Sequence, residues 1–303
     1  MIEVRVPATS ANVGPGFDCM GLAVTAYASF RFSETGDGLC ITGCPKQWQN
    51  EQNLVYQACV KVFSKCGKEI SGLTIEIDAH EVPEARGLGS SAVCIVGGVV
   101  GANALLGNPL SKEEMLTLCT EMEGHPDNVA PALYGGLTIS FCEGEKVFTV
   151  KNQVHERFVF CALIPDYPVL TADARSVLPK QVSFHDALYN IGRCAVLAKG
   201  LSDGDIELVS HACDDVLHQP YRKVLIPDYE EVDRLADKHQ ALTWYISGSG
   251  STMMLIFDGK EKAEALIRET LQRKPHWQAK LLRVDNDGAT VNEALSVKEN
   301  THG

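Results

Sequence analysis

Residues 83–92 read PEARGLGSSA, and this segment is the clearest chemical signal in the chain. Gly87 and Gly89 allow the backbone to take positive φ values and to approach an anion closely. The uncharged, apolar run over 90–106 predicts a buried helix that begins at the two serines. Because a helix N-terminus presents unpaired N–H groups and a partial positive charge, the segment predicts a phosphate-binding loop, with Arg86 as an additional cation. Taken alone, an ordinary glycine-rich turn whose serine caps the helix remains the alternative.

Two commoner nucleotide-binding fingerprints are missing from the sequence. No glycine is followed by Lys-Ser or Lys-Thr with the spacing of a P-loop. After the first predicted strand, GPGFDCMG places its third glycine too late for a dinucleotide-binding turn. The predicted phosphate site is therefore of another type.

Two further segments have the composition of shaped loops. Residues 7–23 (PATSANVGPGFDCMGLA) mix Pro, Gly, Ser, Asn and Asp directly after a strand, which indicates a mostly non-helical backbone. Within them, Asn12 and Asp18 are short polar groups suited to holding a hydroxyl or an ammonium. Residues 246–253 (ISGSGSTM) form a second glycine-serine turn between apolar runs, which alone would indicate a hairpin or a bulge.

Composition excludes several classes of protein. The chain has 303 residues, 45% hydrophobic and 22% charged, which predicts about two folded domains rather than disorder. A net charge of −12 argues against binding to nucleic acid or to an anionic membrane surface. The eleven cysteines are an odd number without a CxxC pair, which predicts reduced thiols and a cytoplasmic protein. The uncharged segment 87–111 is too rich in glycine to favour a membrane span, and the N-terminus lacks the pattern of a signal peptide.

Hydrophobic periodicity predicts an α+β chain in two parts. The polar, charged stretch between residues 143 and 156 is the expected boundary, which gives domains of 1–150 and 151–303. Predicted strands cover 2–6, 22–34, 73–80, 158–164, 243–257 and 279–285. Predicted helices cover 53–66, 90–106, 112–123, 182–199, 205–218, 229–240 and 260–273.

In the order PxxSANxGPGFD, PxxRGLGSSA and SGSGST, the three motifs resemble those of the GHMP kinase family, which phosphorylates small hydroxyl compounds. EGHPDNVAPALYGG at 123–136, LTADARSVLP at 170–179 and HQPYRKVLIPDY at 218–229 are similar to members that act on L-homoserine. The resemblance implies a two-domain fold, with an N-terminal domain like ribosomal protein S5 domain 2 and a ferredoxin-like C-terminal domain. It also implies a homodimer that converts ATP and L-homoserine into ADP and O-phospho-L-homoserine for threonine biosynthesis.

The same resemblance implies the site residues, position by position. ATP would be bound by Pro83, Glu84, Ala85, Arg86, Gly87, Leu88, Gly89, Ser90, Ser91, Ala92 and Val93. Mg²⁺ would be held by Ser91 and Glu123. L-Homoserine would be bound by Asn12, Asp18, Asn53, His125, Thr171, Arg175 and Arg222.

The residue types suit a zwitterionic substrate. Arg175 and Arg222 are the planar, bidentate partners that a carboxylate prefers, and Asp18 would pair the ammonium or the hydroxyl. Asn128 stands where other members of the family have a catalytic aspartate. We therefore expect Asp18 or the γ-phosphate itself to accept the proton of the substrate hydroxyl. The sequence departs from the family pattern at Val93, Cys94 and Ser251, but none of these positions removes a ligand.

Two other functions remain open at this stage. A GHMP kinase for a sugar or a mevalonate-like substrate would keep the phosphate loop, but it would need more neutral hydrogen-bonding groups than a pair of arginines. A non-catalytic nucleotide sensor would keep the loop without needing Mg²⁺. Mg²⁺-dependent turnover of ATP distinguishes a kinase from a sensor.

Overall fold

The computed structural model describes residues 1–293, so that 294–303 of the second predicted domain lie outside the described part. Its strands are β1 (Ile2–Ala11), β2 (Met20–Glu34), β3 (Gly38–Thr42), β4 (Gly72–Asp78), β5 (Leu137–Glu143), β6 (Lys146–Asn152), β7 (Phe158–Ile164), β8 (Thr243–Ile246), β9 (Met253–Asp258), β10 (Gln278–Leu282) and β11 (Thr290–Glu293). Its helices are α1 (Leu54–Lys65), α2 (Ser90–Leu105), α3 (Lys112–Glu123), α4 (Pro126–Tyr134), α5 (Thr171–Ser176), α6 (Phe184–Asp203), α7 (Ile206–Ala212), α8 (Gln219–Arg222), α9 (Tyr229–Lys238) and α10 (Glu261–Arg273).

A seven-stranded sheet forms the first layer, and β2 is its central strand. The order is β11-β1-β2-β4-β3, with β5 pairing the start of β2 and β6 pairing β5. Among these pairs, β3 and β4 run parallel and the rest run antiparallel. Helix α2 packs against β1 and β2, and α1 and α3 pack against α2.

Helix α2 is glycine-rich because two phenylalanines of β2 press against it. A Cβ on Gly97 would lie 2.5 Å from the ring of Phe30, and a Cβ on Gly101 would lie 2.2 Å from the ring of Phe32. Both rings are fully buried. The uncharged segment is thus a core helix. In the described part of the chain, none of the helices has the length and apolarity needed to cross a bilayer.

A four-stranded antiparallel sheet, in the order β10-β7-β9-β8, forms the second layer. The whole of β7, FVFCALI, is buried, as its continuous apolar run predicts. One face of this sheet packs against apolar side chains of α9 and α10, among them Val232, Leu235 and Leu266.

Several elements differ from the sequence-based predictions. The predicted strand 243–257 is wrong, because β8 and β9 are separated by the glycine-serine loop 247–252. The predicted helix 205–218 ends at Ala212, because the Asp215 carboxylate accepts the backbone N–H groups of residues 217–219 and so fixes a turn there. Helices α4, α5 and α8 and strands β3, β5, β6 and β11 lay outside the predicted elements.

The boundary at residues 150 and 151 stays a prediction. Strand β6 runs across it, and β11, near the end of the chain, pairs with β1 in the first sheet. The described residues of the C-terminal half therefore also contribute a strand to the N-terminal layer.

Candidate active site

Three loops meet at the junction of the two layers, and they are the three segments that the sequence singled out. The N–H of Gly248 donates to the carbonyl of Ala11 at 2.9 Å, and the N–H of Thr252 donates to that of Arg86 at 3.0 Å. The N–H of Thr9 donates to the carbonyl of Leu88 at 3.2 Å. Each loop is thus held in place by the backbone of another.

Residues 83–92, called the phosphate loop from here on, require glycine at position 89. Gly89 has a φ of +68° and is the N-cap of α2, without any side-chain cap. A Cβ there would lie 1.9 Å from Oγ1 of Thr9 and 3.0 Å from Oδ1 of Asn128. Ser90 is the first residue of the helix rather than its cap, so the N-terminus of α2 keeps its N–H groups for a ligand. The alternative of a serine-capped turn is therefore wrong.

We expect Gly89→Ala to destabilise the protein by about 2–4 kcal/mol and to abolish most activity. Positive φ alone costs a non-glycine residue about 1–2 kcal/mol, and the clash with Thr9 adds to this cost. Gly107→Ala is the matched control, because Gly107 has a φ of +79° but no atom within 4 Å of its Cβ position. Urea unfolding measures the free energy of unfolding of the two variants. An equal loss of stability in both would contradict the role of the clash with Thr9.

Two cavities meet at the start of α2. One, of about 560 Å³, lies beside the loop and is lined by Cys44, Trp48, Asn53, Val82, Pro83, Glu84, Val93 and others. The other, of about 90 Å³, is lined by Asn12, Asp18, Ala85, Gly87, Gly89, Glu123, His125, Asp127, Asn128, Thr171, Arg175, Arg222, Gly248 and Ser249. Ser90 and Ser91 line both, so the two cavities adjoin at the phosphate loop.

Most residues of the predicted ATP segment face one of these cavities, but three do not. Leu88 and Ala92 are fully buried in the hydrophobic core. The guanidinium of Arg86 donates to the carbonyls of Pro165 at 3.1 Å and Asp166 at 2.9 Å. Arg86 therefore joins the loop to the chain after β7, and its role as a cation for phosphate stays a prediction.

The smaller cavity carries a forked ion pair. Arg175 donates through its two terminal nitrogens to the two carboxylate oxygens of Asp18, at 3.0 Å and 2.8 Å. Asn12 fixes this loop, because its Oδ1 accepts the N–H of Asp18 at 2.9 Å and its Nδ2 donates to the carbonyl of Gly248 at 2.9 Å. Acidic and basic groups are thus held side by side.

Arg222 is a second cation in the same cavity, and only 2% of it is exposed. Its side chain donates to the carbonyls of Ala174 at 3.2 Å and Gly248 at 2.9 Å. Burial lowers the pKa of Arg222 to about 10, which leaves it charged at neutral pH. No carboxylate forms a salt bridge with it within the described residues, so its charge is available to an anionic ligand.

Phe17 is a site residue that the sequence analysis missed. Its ring lies 4.9 Å from the guanidinium carbon of Arg222 and 5.7 Å from that of Arg175. The ring of Phe17 also stacks on the buried ring of His218, and the two ring centres are 5.1 Å apart. The aromatic ring supports both cations. Its position within GPGFDC was visible in the sequence, but the arginines that it contacts are far away in the chain.

His125 lies at the N-cap of α4 and pairs with the buried carboxylate of Asp127. The hydrogen bond that the imidazole donates to this carboxylate raises the pKa of His125. The next residue, Asn128, accepts a hydrogen bond on Oδ1 from Thr9 at 2.7 Å. This contact leaves the amino group of Asn128 for the cavity, so that Asn128 is a donor there and cannot act as a base. Asp127 and Thr9 are further residues that the sequence analysis missed.

Ser91 and Glu123 bring two side-chain oxygens together at the phosphate loop. Oγ of Ser91 donates to the Glu123 carboxylate at 2.7 Å. Burial raises the pKa of Glu123, as expected for an acid partly removed from water. No cluster of three or more His, Cys, Asp or Glu side chains suited to a metal occurs among residues 1–293. A cation here would depend on phosphate oxygens for its other ligands.

Asn53 is the one predicted substrate residue that the structure does not bring together with the others. It is the N-cap of α1, where its Oδ1 accepts the N–H of Val55 and its Nδ2 donates to the carbonyl of Trp48. Asn53 lines the larger cavity, whereas the other predicted substrate residues line the smaller one. The NLVY segment thus starts a helix beside the larger cavity.

The structure thus places the glycine-rich start of α2, the oxygens of Ser91 and Glu123 and a pocket of paired charges side by side. Anion binding, oxygen donors and charge neutralisation are what the transfer of a phosphoryl group requires. Two family models match the chain: GHMP kinases N terminal domain at residues 53–136 and GHMP kinases C terminal at residues 197–274. The chain belongs to the GHMP kinase family.

Within this family the chain is similar to homoserine kinases. It is 45% identical to the homoserine kinase of Clostridium botulinum strain Okra, over 96% of this chain and 99% of the relative. It is 46% identical to that of Clostridium beijerinckii, over 97% and 99%. The crystal structure of homoserine kinase from Cytophaga hutchinsonii superimposes with a TM-score of 0.84 and 32% identity, covering 96% of this chain and 97% of that one. A mevalonate kinase structure at 14% identity, with a TM-score of 0.71, shares the fold.

Proposed function

We propose that the protein transfers the γ-phosphoryl group of ATP to the side-chain hydroxyl of L-homoserine, giving O-phospho-L-homoserine and ADP. One observation carries the choice of substrate: Asp18, Arg175 and Arg222 line the same small cavity beside the phosphate loop. A free amino acid presents a carboxylate and an ammonium, and this cavity supplies a partner of opposite charge for each. The similarity to homoserine kinases over nearly the whole chain supports the same substrate.

The larger of the two cavities would hold the nucleotide. The cavity of about 560 Å³ has the volume of a small-ligand site, and its lining of Trp48, Val82 and Val93 suits a base and sugar. Because Ser90 and Ser91 line both cavities, the triphosphate would pass over the N-terminus of α2 towards the smaller cavity. The terminal phosphoryl group would then meet the substrate hydroxyl between them.

The donor set at Ser91 and Glu123 fits Mg²⁺. Mg²⁺ prefers hard oxygen ligands and is bound in phosphoryl-transfer sites by one or two protein groups together with substrate phosphates. Both side chains present oxygen, and they are already 2.7 Å apart. When bound, the cation neutralises charge on the phosphate oxygens.

The protein contributes to the reaction mainly by positioning. Arg222 and Arg175 would bind the substrate carboxylate, while Asp18 would bind the ammonium. Since Asp18 is assigned to the ammonium and Asn128 can only donate, we assign the hydroxyl proton to the γ-phosphate. Phosphoryl transfer has a loose transition state, so alignment and charge neutralisation supply most of the rate.

The proposal is tested by ADP release from Mg-ATP with L-homoserine, L-serine, L-threonine, mevalonate and galactose offered separately. We expect strong turnover with L-homoserine and a loss of that turnover in Asp18→Ala. Turnover with mevalonate or galactose instead would refute the assigned substrate and keep the phosphate loop. ATP binding without turnover on any of the five would indicate a nucleotide sensor.

We also propose that this enzyme is a cytoplasmic homodimer of threonine biosynthesis, without nucleic-acid or membrane partners. The dimer and the pathway follow from the resemblance to the family. The location is supported by the eleven cysteines, all of which are free thiols. The lack of anionic polymer partners is supported by the net charge of −12.

A further inference from the structure

Two cysteines from opposite halves of the chain meet beside the substrate cavity. Cys19 directly follows Asp18, and Cys194 lies in the middle of α6. Their Sγ atoms are 4.0 Å apart, and both residues are partly exposed. A disulfide bond is about 2.0 Å long, so closing this gap requires a shift of about 2 Å shared between two side chains.

The surroundings of the pair favour reaction at Cys194. Its Sγ also contacts Sδ of Met20 at 3.3 Å, which places three sulfur atoms in one cluster. The thiol of Cys19, as a hydrogen-bond donor, lowers the pKa of Cys194, whereas the pKa of Cys19 itself is raised. Because a thiolate is the nucleophile in disulfide exchange, Cys194 is the attacking group and Cys19 the resolving one.

We propose that Cys19 and Cys194 form an oxidation-sensitive site that closes to a disulfide and impairs binding of the amino-acid substrate. The oxidant is a low-molecular-weight disulfide. The Cys194 thiolate attacks one of its sulfurs, which releases one small thiolate and leaves a mixed disulfide. Cys19, on losing its proton, then attacks Sγ of Cys194 and releases the second small thiol. The two protein thiols are oxidised by two electrons, and the small disulfide is reduced to two thiols.

The effect on the site follows from the position of Cys19 in the chain. Asp18 holds a φ of +56° and its carboxylate is paired with Arg175, so the backbone here is tightly defined. Drawing Cys19 towards α6 displaces this backbone. Neither cysteine lines either cavity, but Cys19 directly follows Asp18, which lines the smaller one, whereas no residue adjacent in the chain to either cysteine lines the larger one. The bond should therefore affect the amino acid more than ATP.

Peptide mapping tests the bond directly, independently of any activity. Trypsin places Cys19 in peptide 6–31 and Cys194 in peptide 194–199, and each contains a single cysteine. After reduced protein is exposed to oxidised glutathione, we expect these two peptides to be cross-linked, with a loss of two hydrogen masses. The cross-link should disappear in Cys194→Ser and on treatment with dithiothreitol. If the two peptides were recovered solely in glutathionylated or unmodified form, without the cross-link, the proposal would be overturned.

The second measurement rests on the proposed function and compares KM values before and after oxidation. We expect the KM for L-homoserine to rise about tenfold or more, because a displacement of about 1 Å in a positioning group costs up to about 10²-fold. The KM for ATP should stay within about twofold. Dithiothreitol should restore the enzyme, and Cys194→Ser should resist the oxidant. Cys66→Ser, a partly exposed cysteine at the end of α1, is the matched control and should remain sensitive.

The outcomes separate the two proposals. A cross-link without any kinase activity in the reduced protein would refute the proposed function and leave the oxidation site standing. A cross-link that leaves both KM values unchanged would overturn the claim that the bond acts on substrate binding. Equal protection by Cys66→Ser would assign the inhibition to another thiol.

Discussion

Arg222→Met should lower kcat/KM for L-homoserine by about 30- to 5,000-fold, equivalent to about 2–5 kcal/mol for truncating one partner of a buried charge pair. Arg222 is 2% exposed and forms no salt bridge within the described residues, so a substrate carboxylate would be its only charge partner there. Steady-state kinetics at varied L-homoserine and fixed ATP measure the loss. Arg222→Lys should recover only part of it, because an ammonium lacks the fork that engages two carboxylate oxygens.

A substrate analogue shows whether this loss belongs to the carboxylate. 3-Aminopropan-1-ol is L-homoserine without its carboxylate, and the wild-type enzyme should phosphorylate it poorly. If Arg222 binds the carboxylate, Arg222→Met should cost little more with this analogue, since the two changes remove the same interaction. If Arg222→Met lowered kcat/KM as much with the analogue as with L-homoserine, Arg222 would act by holding the carbonyls of Ala174 and Gly248 instead. Unchanged binding of ATP checks that the variant is folded.

Glu123→Gln should lower kcat by about 100-fold or more at ordinary Mg²⁺ concentrations. A bound metal contributes several kcal/mol of charge stabilisation in such reactions, and about 1.4 kcal/mol corresponds to a factor of ten. A neutral amide is a weaker ligand than a carboxylate, so raised Mg²⁺ should restore part of the activity. A Mg²⁺ titration of ADP release measures both effects.

Glu121→Gln is the matched control for this experiment. Glu121 lies two residues earlier in α3, where its exposed side chain pairs with Lys61 at 2.7 Å. The substitution makes the same change of charge on the same helix but away from both cavities. We expect nearly wild-type kinetics, since exposed ion pairs contribute little. If both variants lost activity equally, the effect would be one of charge or helix stability, and Glu123 would not be a metal ligand.

The sequence was sufficient to predict the three loops and the long periodic elements. The alternation in β1 and the apolar faces of α1 and α3 predict those elements directly, because the patterns are local. Helix α4 escaped prediction because it is short and contains Pro131 in its interior, where proline usually ends a helix. Strands β5 and β6 form a partly exposed hairpin, whose mixed pattern is weak in the sequence.

Side-chain roles were harder to predict than positions in a motif. Arg86 stands in the phosphate loop, yet its partners are carbonyls of residues 165 and 166, which no local pattern reveals. Asn53 likewise has the residue type of a ligand, but its amide is used to begin a helix. In both cases the deciding contact is with backbone atoms, which every residue carries. A sequence therefore gives no sign of which backbone group a side chain will meet.

The mutual support of the three loops has a consequence for biosynthesis. The first two loops leave the ribosome early, but the third, at residues 247–252, comes near the end of the chain. Until it emerges, the carbonyl of Gly248 that fixes Asn12 and Arg222 is missing from the nascent protein. Strand β11, which closes the edge of the first sheet beside β1, comes later still. A chain made only as far as β7 therefore has the phosphate loop without the carbonyl that orders Asn12 and Arg222, and this pocket is completed only after residues 247–252 have been made.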